Sequence, residues 1–161
     1  MFQATAYSGD KVKDYEQLLK QLTALSEDET DTTAILSNAS ALLNQFLDNV
    51  NWVGFYLWKD NELVLGPFQG LPACIRIAYG NGVCGTAIRE GTTQRVDDVQ
   101  AFPGHIACDS ASKSEIVVPL YTNGAIYGVL DIDSPINDRF DETDQIYLEK
   151  FAKEIERLVH L

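Results

Sequence analysis

The chain has 161 residues, 45% of them hydrophobic and 22% charged, which fits one globular domain that buries roughly two thirds of its unfolded surface. Its formal charge of −12, from 12 basic against 24 acidic residues, repels a phosphate backbone, so no nucleic-acid partner is expected. No apolar run approaches the roughly 20 residues that span a bilayer, and the opening "MFQATAYSGDKVKDYE" lacks a basic region followed by an apolar one, so a cytoplasmic protein with no membrane partner is expected.

From Lys11 to Ser26, Tyr15, Leu18, Leu19, Leu22 and Leu25 recur at helical spacing. A second helix is expected from Asp31 or Thr32, with Ile35, Leu36, Ala39, Leu42, Leu43 and Phe46 as its stripe. "NWVGFYLW" then switches to aromatic and β-branched residues, and "KDN" turns it into "ELVL" as a hairpin. Alternation puts Trp52, Gly54, Tyr56 and Trp58 on one strand face and Val53, Phe55 and Leu57 on the other. Both faces are apolar, so one packs on helices while the other is either more core or the wall of a ligand site.

"GPFQGLP" reads as a loop and Ala73 to Tyr79 as a strand, followed by a glycine turn, a short helix and a strand from Gln94 to Val96. "DDVQAFPGHIACDSASKS" is a long polar stretch of the kind that carries function or disorder. "EIVVPLY" and "AIYGVLDIDS" form a hairpin about Thr122, Asn123 and Gly124, and a closing helix capped by Asp141 completes the chain. The acidic runs "SEDETD" and "DRFDETDQ" fall at helix boundaries, where solvated carboxylates complement helix dipoles. The expected fold is α+β. It is a single domain over residues 1–161, with a mainly antiparallel five- to six-stranded sheet, N- and C-terminal helices on one face and a loop-covered pocket on the other.

"AYGNGVCGTAI" spells G-x-G-x-x-G, but the helical run after Gly85 is only "TAIRE", and Asp97 and Asp98 come after the short strand-like "TQRV", so a dinucleotide site is not expected. The glycine turn instead presents Cys84, and helix-start N–H groups favour a thiolate there. Cys74, Cys84 and Cys108 form no C-x-x-C pair, and an odd number argues against a static disulfide framework. His105 and Cys108 make an H-x-x-C, too little for a structural zinc site, so neither metal nor organic cofactor is expected. All three cysteines also fit a reading as small buried apolar residues.

In "GVLDIDS", Leu130 and Ile132 face one way and Val129, Asp131 and Asp133 the other. Two carboxylates so close in an apolar strand raise each other's proton affinity, and Glu115 begins the partner strand. They serve either a reaction as proton donor and charge partner, or the fold as acceptors for loop N–H groups.

"NWVGFYL", "GPFQG", "GNGVCGTA", "FPGHIACDSASKSEIVVPL" and "GVLDIDSP", in this order and at these separations, closely resemble the free methionine-(R)-sulfoxide reductases, small enzymes of GAF-domain fold. The resemblance runs from about Tyr15 to the last helix. It implies reduction of free L-methionine (R)-sulfoxide, with Cys108 attacking the sulfoxide sulfur and becoming a sulfenic acid, Cys74 resolving it as a disulfide, and Cys84 a third thiol at the site. Thioredoxin as reductant and a homodimer are implied as well. Local residue chemistry ranks Cys84 above Cys108, so the nucleophile stays open between them. Glu115 or Asp133 suits the general acid, Asp131 or another of these carboxylates left ionised (Asp133 or Glu115) the substrate ammonium, and Trp52 with Tyr56 the wall around the methyl-sulfinyl end. A GAF module that senses a ligand or redox state without turnover is the rival reading, and a zinc-stabilised adaptor a third.

Overall fold

A computed structural model of the protein describes residues 2–3, 6–106 and 110–159. Helices α1 (Lys11–Leu25) and α2 (Thr32–Phe46) lead into strands β1 (Trp52–Lys59), β2 (Glu62–Gly70) and β3 (Arg76–Ala78). A short helix α3 (Gly82–Glu90), strand β4 (Gln94–Val96) and a 3₁₀ turn (Val99–Ala101) follow, then β5 (Ser114–Thr122), β6 (Ala125–Ser134) and helix α4 (Glu142–Leu158). The strands make one antiparallel sheet in the order β3-β2-β1-β6-β5-β4, so β1 and β6 lie at its centre. No helix among the described residues is long and apolar enough to cross a membrane.

An aspartate starts each long helix by accepting a first-turn N–H. Asp10 takes Lys13 N at 3.0 Å, Asp31 takes Ala34 N at 2.8 Å and Asp141 takes Asp144 N at 2.9 Å. At α4 the cap is reciprocal, because Asp144 accepts from Asp141 N at 2.9 Å. Asp144 departs from the reading of these acidic runs as solvated surface: it is fully buried and also accepts from Tyr15 OH at 2.6 Å and Lys11 Nζ at 3.0 Å. The Arg139 guanidinium lies 3.4 Å from the same carboxylate. One side chain thereby caps α4 and ties it to α1.

The sheet separates two cores by the two-residue period of its strands. Val53 and Phe55 from β1, Ile116 and Val118 from β5, and Leu130 and Ile132 from β6 pack against α1, α2 and α4. Trp52, Tyr56, Val117 and Val129 face the opposite way, where Val83, Ala87 and Ile88 of α3 meet them. The site lies on this second face.

Two sequence expectations change. "GPFQG" is strand, not loop: β2 runs to Gly70 because the register shifts between Gly54 and Tyr56, giving β2 one extra residue opposite Phe55. A bulge of this kind accommodates Pro67, which has no N–H for a ladder. Conversely, only Arg76–Ala78 of the expected strand Ala73 to Tyr79 pairs as one. Pro72 interrupts the segment ahead of it, and the carbonyls of Leu71 and Cys74 accept from side chains instead of a neighbouring strand.

Candidate active site

A cavity of about 50 Å³ opens between the sheet and α3, and Trp52, Tyr56, Cys84, Glu115, Asp131 and Asp133 all line it. Register accounts for the convergence. Glu115 stands directly across the β5–β6 ladder from Asp133, and Asp131 lies two residues further along β6 on the same side. On β1, Trp52 pairs with Asp133 and Tyr56 with Val129, which sets the aromatic rings beside the acids. Trp52 is stacked between Tyr56 and Phe68, with centroids 5.8 and 5.1 Å away.

The glycine turn closes the other side. Gly82 has φ +61°, and at Gly85 a Cβ would come within 2.6 Å of Ala78 O, so neither position accepts a side chain without rearrangement. Asn81 begins α3 with no side-chain cap, and the Gly82, Val83 and Cys84 segment, whose N–H groups have no partner within the helix, lines the cavity.

Glu115 and Asp131 are buried, with 6% and 5% exposure. Burial pushes the Glu115 carboxyl well above its ordinary range, and the nearby Asp131 and Asp133 add to this through charge and through hydrogen bonds that Glu115 donates as a neutral acid. Asp131 is raised by burial too, but hydrogen bonds from Glu115 and Cys84 oppose the rise. Glu115 therefore keeps the proton more firmly. Asp131 Oδ1 is buried with no hydrogen-bond partner, and no Lys or Arg is among the described residues lining the cavity. The arrangement suits a small guest that carries its own cation.

The helix-start argument for a Cys84 thiolate fails on geometry. Cys84 is 4% exposed, and burial followed by Asp131, Glu115 and Asp133 pushes its thiol well above the usual range. Three acids and desolvation outweigh the partial charge at the end of a nine-residue helix. Cys84 is a free cysteine, whereas Cys74 is disulfide-bonded. Cys74 sits beside the cavity, after Leu71, Pro72 and Ala73 of its wall, and Tyr56 OH donates to its carbonyl at 2.8 Å. Cys108 lies outside the described residues.

For a metal, the donors that converge are Cys84 Sγ and carboxylate oxygens of Glu115 and Asp131, all within 4.8 Å of one another, a different set from the H-x-x-C of the sequence. His105, expected only as a loop residue, lines the cavity, and its Nδ1 is buried without a hydrogen-bond partner. Ser112 lines it as well and accepts from Asn51 Nδ2 at 3.2 Å. The H-x-x-C marks His105 only as a weak metal candidate, and Ser112 carries no local pattern that marks it in the sequence.

Residues 31–159 match the GAF domain model. A free methionine-R-sulfoxide reductase of Escherichia coli is 49% identical over 150 residues, covering 93% of this chain and 91% of that protein. The chain belongs to this family. The crystal structure of the free methionine-R-sulfoxide reductase from Neisseria meningitidis, solved with its substrate, superposes with a TM-score of 0.94 at 47% identity, covering 99% of this chain and 96% of that one. Protein YtsP of Bacillus subtilis is 61% identical over 98% of both chains. Free methionine-R-sulfoxide reductases thus share with this chain both the sheet and the surrounding helices that frame its acidic cavity.

Proposed function

We propose that the protein reduces free L-methionine (R)-sulfoxide to methionine through a cysteine sulfenic acid and a disulfide. The observation that carries this reading is the unpartnered, buried Asp131 Oδ1 in a cavity without Lys or Arg among its described lining residues, beside the proton-holding Glu115. The ammonium of a free amino acid supplies the missing cation to Asp131. Its carboxylate meets the N–H groups that begin α3, and Trp52 and Tyr56 wall the methyl-sulfinyl end. A continuing peptide chain would leave the ammonium absent and the enclosed cavity overfilled, which explains a preference for the free amino acid.

Cys108 attacks the sulfoxide sulfur while Glu115 protonates the sulfoxide oxygen, a step that otherwise leaves charge on that oxygen. Oxygen passes to the cysteine, methionine departs, and Cys108 is left as a sulfenic acid. The thiol of Cys74 displaces water from it and closes a disulfide, which thioredoxin reopens. Cys84, free and held protonated, stays a neutral wall of the site and hydrogen-bonds Asp131. We place the reaction in the cytoplasm, where thioredoxin is kept reduced, and assign the whole chain to one catalytic domain that acts as a homodimer. No organic cofactor or metal enters the chemistry.

The test is a coupled assay with thioredoxin, its reductase and NADPH on each epimer of free methionine sulfoxide. NADPH loss with the R epimer and none with the S epimer or with a peptide-bound sulfoxide is expected. No consumption with either free epimer removes the enzyme and leaves a ligand-sensing GAF module.

A further inference from the structure

Two aromatic side chains of β1 grip the segment that carries Cys74 by its backbone. Trp52 Nε1 donates to Leu71 O at 3.2 Å, and Tyr56 OH donates to Cys74 O at 2.8 Å. The donors share one face of a central strand, each is 2% exposed, and their rings are stacked at 5.8 Å with an interplanar angle of 23°. Both rings belong to the buried core on this face of the sheet. The segment they hold is less regular: residues 71–75 form neither helix nor strand, and Leu71 and Ile75 are 64% and 66% exposed, so apart from the disulfide of Cys74 its other ties are the partly buried Ala73 and Cys74 side chains and the bond from Leu65 N to Ile75 O at 2.8 Å. Burial first, and then the charge of Asp131, keep the Tyr56 phenol far above its ordinary pKa, so it remains a donor at every physiological pH.

We propose that Trp52 and Tyr56, besides walling the cavity, are positioning residues for the resolving sulfur: they hold the Cys74 segment where its thiol meets the oxidised cysteine. This rests on the reading above, in which Cys74 closes the disulfide. In that step the S–O bond of the sulfenic acid breaks, an S–S bond forms, and the hydroxide leaves with the Cys74 proton as water, so no outside oxidant is needed. The rate depends on how often the two sulfurs come together. A segment with two carbonyls pinned to the sheet samples far fewer positions than one released from it.

The test separates closure from oxygen transfer. Tyr56→Phe removes one oxygen and keeps the ring, and Trp52→Phe removes the indole N–H. In a single turnover, the sulfenic acid is trapped with dimedone and the disulfide is measured by mass, each counted per methionine formed, so slower chemistry or weaker substrate binding cancels. Conversion of sulfenic acid to disulfide is expected to slow about tenfold in Tyr56→Phe, the loss of one buried hydrogen bond, and further in the double variant. Closure at the parent rate in Tyr56→Phe and Trp52→Phe overturns the proposal. Trp52→Phe carries the test if a thermal melt shows Tyr56→Phe unfolded. A Cys108→Ser variant that still yields methionine overturns the underlying cysteine assignment instead, whatever the closure rates.

Discussion

Glu115 and Asp131 are carboxyls in a place that disfavours their charge, and the consequence for stability has a definite sign. In the unfolded chain they ionise near 4.5 and 3.8; in the folded protein both hold their protons to higher pH. Their contribution to stability is therefore full below about pH 4 and is lost as pH rises through the raised folded values. Glu115→Gln and Asp131→Asn carry no such loss. Thermal melts should show each variant gaining on the parent between pH 5 and pH 8, while kcat/KM with free methionine sulfoxide falls by about 100-fold or more. A melting temperature that drops equally at both pH values would instead make these acids ordinary loop supports. The acids were legible in part. D-x-D in an apolar strand has a two-residue period, so the shared face of Asp131 and Asp133 follows from the sequence, but the placing of Glu115 opposite Asp133 depends on a register set by the turn. Cys84 was legible as a site cysteine, yet its protonation was not, because the acids that suppress its ionisation come from strands 31 and more residues away. The loop of His105 and Ser112 was legible as function-bearing and His105 as half of an H-x-x-C, but the place of the two residues in the cavity wall was not, since only tertiary folding brings the loop over it.

Among the elements, the helices announced themselves best, through apolar stripes and aspartate caps at Asp31 and Asp141. β2 and β3 misled in opposite directions. Gly66 and Pro67 carry the composition of a loop, and only the bulge opposite Phe55 lets β2 continue through them. Cys74 and Ile75 carry the composition of a strand, but Tyr56 of β1 claims the Cys74 carbonyl, and of the two carbonyls only that of Ile75 meets the neighbouring strand, accepting from Leu65 N at 2.8 Å. Asp144 shows the same limit: within the acidic run "DRFDETDQ" it looks like surface, and it becomes interior when Tyr15 and Lys11, far away in sequence, converge on it. Asp144→Ala leaves the Tyr15 hydroxyl without its acceptor and Lys11 and Arg139 without the carboxylate they share. A loss of about 3–5 kcal/mol is expected, read as a lower urea midpoint at unchanged slope. KM for the sulfoxide should stay at the parent value, because this junction lies on the helical face.

At the scale of the molecule, the sheet divides labour between its sides, with α1, α2 and α4 supplying burial on one and α3 with the loops enclosing the acids on the other. Stability and chemistry are then separable by mutation. Leu36→Ala, at a position 1% exposed in the helical core, should cost about 2–5 kcal/mol and leave KM unchanged, checked by denaturation and by steady-state kinetics on the same preparation. A KM that rose in parallel would mean that the two sides communicate. The whole architecture was the most legible level, because strand alternation alone assigns Leu130 and Ile132 to one side and Asp131 and Asp133 to the other.

The β5–β6 ribbon turns at Asn123 and Gly124, with φ of 52° and 77°, and its ladder then shifts once between Leu120 and Tyr121 before it reaches the acids. That tip and that single offset set the phase of everything downstream. Had β6 drifted by one position over evolution, Asp131 and Asp133 would have swung into the oily interior and Leu130 and Ile132 into the reaction chamber, and a slip of β5 would have carried Glu115 inward in the same way. Insertions along these strands should therefore survive in descendants only in pairs, or beside a second compensating offset.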